Sequence, residues 1–101
     1  MNRPDDKSIL MHKRLLKVAT EYLERGYTVT LHPSSQQLPE TLSRFALDLI
    51  AVNGSKTVAV EVRTRDNLTL NGEKDLQQMA ELVRQVPGWE LELVVTNPRK
   101  R

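Results

Sequence analysis

No cysteine occurs among the 101 residues, which excludes disulfides, thiolate metal sites and cysteine nucleophiles, and nothing in the chain asks for an oxidising compartment. Aromatic residues are scarce: Tyr22, Tyr27, Phe45 and Trp89 are the whole set. That is too few for base stacking on an aromatic platform to be the main mode of nucleic-acid binding. No apolar run approaches the roughly 18 residues a membrane span needs, and the first residues, MNRPDDKSIL, mix charges where a signal peptide would be apolar. The expectation is a soluble, unexported, cytoplasmic protein. The sequence also lacks a Gly-rich phosphate loop, a Gly-x-Ser-x-Gly elbow, a dinucleotide fingerprint and any internal repeat.

What is present fits one domain spanning residues 1–101, with 39% hydrophobic and 28% charged residues. Fifteen Lys and Arg against thirteen Asp and Glu give a formal charge of +2, which permits a polyanionic partner without demanding one. Charge placement must therefore decide.

Asp5 and Asp6 suit a helix start, and Met11, Leu15, Val18, Ala19 and Tyr22 recur on one face, with Ile9, Leu16 and Leu23 widening the stripe. This predicts an amphipathic helix over 6–25, ended by Gly26. The alternating Tyr27–Leu31 reads as a short strand, and the polar stretch 33–44, with Pro33 and Pro39, as a loop with at most one helical turn. Residues 71–86 carry Leu76, Met79, Ala80, Val83 and Val86 at helical spacing behind Asn71 as N-cap, and Pro87-Gly88 ends the run. Trp89–Thr96 is a last strand, with Trp89 capping the core, and a mobile basic tail is expected from about 97.

The middle of the chain is the most informative. Phe45–Val52 and Lys56–Arg63 are nearly continuous apolar runs separated by Asn53-Gly54-Ser55, a hairpin signal. If Gly54-Ser55 closes the turn, Leu49 pairs with Val60 and Asp48 lies opposite Glu61. Alternation then puts Leu47, Leu49 and Ala51 on one face with Val58, Val60 and Val62, and Asp48 on the other with Glu61 and Arg63. Two facing carboxylates repel, and burial makes the repulsion worse unless a cation joins them. Arg63 is one candidate cation. A divalent metal is the other, since hard carboxylate oxygens suit Mg²⁺, which keeps waters for a phosphate to replace. A purely structural ion pair is the competing account, but costly charges on central strands are more often tolerated at functional sites.

At these residues the chain resembles the PD-(D/E)XK nuclease superfamily, the restriction-endonuclease-like fold, and its small Holliday-junction-resolvase-like branch. The resemblance rests on the order αβββαβ over about residues 6–96, on Leu47-Asp48 before the hairpin and on Glu61-Val62-Arg63 after it. It implies an α/β fold with a mixed four-stranded sheet flanked by two helices. It further implies that Asp48, Glu61 and the Val62 carbonyl hold Mg²⁺, with Mn²⁺ as substitute, and that Arg63 stands where the family has lysine. Leu47 replaces an often-seen proline. The arginine is the larger departure, because it stays protonated at neutral pH and cannot serve as a base, although it can hold a phosphate or stabilise developing charge.

The resemblance also points to accessory positions: Glu21 on the first helix, with Glu24 behind it, and Gln77 or Gln78 on the second. For Glu21 an exposed ion-pair ladder with Lys17 and Arg25 is the preferred account. Lys13, Arg14, Lys17 and Arg65 are candidate phosphate contacts, the helical ones equally well explained as a solvated face. His12 and His32 have no partner at ligand spacing and read as ordinary surface residues. The leading expectation is a DNA-binding nuclease-fold protein that hydrolyses phosphodiesters with Mg²⁺, as a homodimer or within a larger complex. The alternative is a catalytically silent DNA-binding or protein-assembly module of the same fold. A third is a small α/β protein without any nucleic-acid role.

Overall fold

The computed structural model describes residues 6–64 and 71–96. Helix α1 (Asp6–Glu24) leads into β1 (Thr28–Leu31), then β2 (Leu49–Asn53) and β3 (Lys56–Thr64), followed by α2 (Asn71–Arg84) and β4 (Trp89–Thr96). The sheet runs β1-β2-β3-β4, antiparallel except that β4 lies parallel to β3, so α2 is the crossover that a parallel connection requires. This is the expected α/β architecture. Arg65 and the basic tail from 97 fall outside the described residues.

The hairpin register is the one the turn chemistry predicts: Leu49 pairs with Val60 and Asn53 with Lys56. Gly54 takes φ +63°, the left-handed conformation that suits glycine in a two-residue turn. Gly88, at φ +82°, backs this turn: its carbonyl accepts the Thr57 N–H at 2.8 Å, and a Cβ added to it would meet the Ser55 carbonyl oxygen at 2.6 Å.

Each face of the sheet is covered by one helix. Leu15, Val18, Ala19 and Tyr22 of α1 pack on Leu49, Ala51, Val58, Val60 and Val62. Met79 and Val83 of α2 pack on Ile50 and Ala59, joined by Leu38 and Leu42 from the 33–44 connection. That connection holds two 3-10 turns, Ser35–Gln37 and Glu40–Leu42, and its two leucines anchor it to the core, so it is less of an open loop than its polarity suggested. Each fully buried Leu or Val contributes about 1.5–3 kcal/mol through apolar burial. Tyr22 ties α1 to β4 by donating its hydroxyl to Glu92, and Arg25 lies over its ring. Burial, reinforced by Glu92, raises the phenol pKa above its ordinary value.

Three expectations need correction. Strand β2 begins at Leu49, four residues later than Phe45. Leu47 therefore escapes the alternation and joins the α2-side cluster instead of the α1 side. Ile9, Leu16 and Leu23 stay exposed, because they lie together on one flank of α1, beside the stripe of Leu15, Val18, Ala19 and Tyr22 that packs on the sheet.

Candidate active site

The site forms where β2 and β3 part at the end away from the hairpin turn. Strand alternation sends Val60 and Val62 toward α1, and therefore Glu61 and Arg63 toward the opposite face. At Asp48 side chains replace the strand ladder. Asp48 Oδ2 accepts the Val62 N–H at 2.8 Å, while the Asp48 N–H donates to Glu61 Oε2 at 3.2 Å. Each carboxylate is thus oriented by the other strand's backbone. The Asp48 carbonyl accepts the His32 N–H at 2.8 Å, and His32 adopts φ +47°, unusual for a residue with a side chain.

Arg63 closes the arrangement. Its Nη1 lies 2.6 Å from Glu61 Oε1 and 3.7 Å from Asp48 Oδ2, and donates a hydrogen bond to the Val62 carbonyl at 3.3 Å. The ion-pair distance to Glu61 is short, and the guanidinium compensates the charge of this buried oxygen. Access differs sharply among the three: the Glu61 side chain is 0% exposed, those of Asp48 and Arg63 21% and 22%. Burial, then the negative charge of Asp48, push the Glu61 carboxyl up to about 7, and Arg63 offsets this only in part.

A cavity of about 200 Å³ opens beside Asp48, lined by Met11, His12, Leu15, His32, Asp48 and Val62. It brings together the two histidines that the sequence treats as isolated surface residues. No signal could have found the pairing, since positions 12, 32 and 48 meet only through α1, the end of β1 and the start of β2. The histidines do not complete a ligand set: among the described residues no three His, Asp or Glu side chains form a metal-holding group.

The other candidates are not gathered here. Glu21 is exposed on α1, nine residues beyond His12 and so about 13 Å farther along the axis. Glu24 is also exposed. Gln77 and Gln78 are exposed on α2 and border a shallow depression with Lys74, Asp75 and Glu81, because Leu76 and Met79 take the core-facing positions. Lys13, Arg14 and Lys17 are exposed on α1 and do not line the cavity, although their neighbours Met11, His12 and Leu15 do.

Comparison with known proteins decides the lineage. A family model described as REase_AHJR-like, for a restriction-endonuclease-like group, matches residues 5–101. The chain belongs to this family. It thereby sits in the PD-(D/E)XK nuclease superfamily. Among solved structures it is similar to Hjc, a Holliday junction resolvase from Archaeoglobus fulgidus, with a TM-score of 0.52 and 22% identity over 88% of this chain and 69% of that one. At that identity the likeness speaks for the fold. No curated protein matches the chain significantly.

Family membership implies a divalent cation, and the donor set suits one: two carboxylates and a carbonyl, all hard oxygens. The Arg63 guanidinium nevertheless lies close to all three oxygens. The ligands fit, and the arginine competes for them.

Proposed function

We propose that this protein binds DNA and hydrolyses its phosphodiester backbone at the Asp48–Glu61–Arg63 site. The observation that carries the reading is the gathering of Asp48 Oδ2, Glu61 Oε1 and the Val62 carbonyl within 3.7 Å of Arg63 Nη1, in a chain of restriction-endonuclease-like lineage. Asp48, Glu61 and the Val62 carbonyl would hold Mg²⁺ or Mn²⁺, which when bound polarises a phosphoryl oxygen and acidifies a water. Arg63 supplies the planar fork that grips a phosphate through two parallel hydrogen bonds and stabilises charge developing on it. The reciprocal backbone hydrogen bonds hold the carboxylates ready, so orientation requires no rearrangement of Asp48 or Glu61. His12 and His32 border the cavity beside Asp48 and offer hydrogen bonds to whatever enters it.

The site spans few residues, so choice of DNA form would come from a second copy or a larger assembly; two copies about a two-fold axis would present two sites to two strands. The test is cleavage of supercoiled, branched and single-stranded DNA with Mg²⁺, Mn²⁺ or chelator. Metal-dependent cutting that Asp48→Asn and Glu61→Gln abolish, and that Arg63→Lys raises, supports the reading. One observation favours a second reading: the guanidinium already serves the acids as counter-ion, as it would in a silent DNA-binding module. Salt-sensitive DNA binding with no cutting in any variant, Arg63→Lys included, would select that module.

A further inference from the structure

Arg63 Nη1 is within 3.7 Å of all three oxygens that would hold the cation, at 2.6 Å from Glu61 Oε1, 3.3 Å from the Val62 carbonyl and 3.7 Å from Asp48 Oδ2. A Mg²⁺ ion needs its oxygens at about 2.0–2.1 Å, so the ion and the guanidinium cannot share that centre, and their charges repel. The guanidinium must leave for a cation to enter. It does not leave freely, because Glu61 is 0% exposed and would be left beside Asp48 without a counter-ion. Departure is favourable when both sides find new partners at once: the carboxylates a cation, the guanidinium an anion. A phosphate diester matches that need, since the guanidinium fork pairs with phosphate oxygens as well as with carboxylates, and Arg63 is 22% exposed and can turn toward it.

We propose that Arg63 is a latch that occupies the cation position of the free protein and is released by a nucleic-acid phosphate, so that divalent cation and DNA bind cooperatively. This rests on the hydrolase reading and adds its regulation. The free protein binds Mg²⁺ or Mn²⁺ weakly, and DNA without a cation must compete with the carboxylates for Arg63. Because binding linkage is reciprocal, DNA raises cation affinity by the same factor as the cation raises DNA affinity.

The experiment uses Mn²⁺ broadening of the Val62 amide signal in labelled protein, the amide that donates to Asp48, with and without a short phosphorothioate duplex that resists cleavage. For the native protein, half-broadening should need about tenfold less Mn²⁺ when DNA is present, and Mn²⁺ should tighten DNA binding, followed by fluorescence anisotropy, by a matching factor. Arg63→Gln should bind Mn²⁺ without DNA about tenfold more tightly than the native protein, and DNA should no longer help. Equal Mn²⁺ affinity in the native protein with and without DNA overturns the latch while leaving metal-dependent hydrolysis standing. Failure of Mn²⁺ to reach Val62 under any condition, with folded Arg63→Gln confirmed by circular dichroism, overturns the latch and the cation site together. Should Arg63→Gln fail to fold, the native reciprocity measurement decides alone.

Discussion

Strand β3 shows two kinds of interior on its two faces. Toward α1, Val58, Val60 and Val62 are buried among leucines, alanines and the ring of Tyr22, with no charged side chain among the described residues of that cluster. Toward the other face, Ala59 is followed by Glu61 and Arg63, where α2 no longer supplies the whole cover and two exposed apolar residues of β4, Leu93 and Val95, are the parallel partners. The first face stabilises through non-directional burial that is indifferent to pH. The second is organised by direction and charge, and its contribution depends on protonation. A single strand thus divides the labour of holding the fold and of maintaining a reactive centre.

The largest expected effect is on the apolar face. Leu49→Ala should destabilise the protein by about 2–5 kcal/mol in chemical denaturation, since Leu49 is 0% exposed, and the loss should be equal at pH 5 and pH 8. An effect that varied with pH would break the contrast. The next concerns Glu61, whose carboxyl is raised to about 7 and therefore binds its proton more tightly folded than unfolded. The stability it lends is full below about pH 4.5 and is lost as pH rises through about 7, a fall of about 3 kcal/mol. Subtracting the Glu61→Gln curve from the native one should isolate that fall; parallel curves would remove the ground for calling this face pH-dependent. The smallest lies outside both faces: Arg84→Ala breaks a pair with Glu81 whose side chains are 69% and 67% exposed, and should cost less than about 0.5 kcal/mol.

The sequence carried the apolar face almost completely, because period-two alternation and an Asn-Gly-Ser turn specify register without reference to anything distant. The same pairing put Asp48 opposite Glu61. What lay beyond reach was whatever depended on leaving the ladder. Leu47 changed sides because β2 starts only at Leu49. The reach of Arg63 back across Asp48 and the Val62 carbonyl is a side-chain conformation, invisible to spacing. The meeting of His12 and His32 beside Asp48 is a product of packing between elements far apart in the chain. Gln77 and Gln78 illustrate the converse: they stand on the expected helix, but its apolar stripe turns them outward.

The contact between Gly88 and the hairpin turn bears on how the molecule can be handled. An exposed two-residue turn is ordinarily the first choice for grafting an epitope, a fluorophore or a linker. Here the turn is a seat for the start of β4, with the Ser55 carbonyl oxygen 2.6 Å from where any side chain at Gly88 would begin. A graft that moved Ser55 would pull on the crossover strand and, through it, on Glu61 and Arg63, so this inviting position is a poor site for labelling a protein whose chemistry is to be measured.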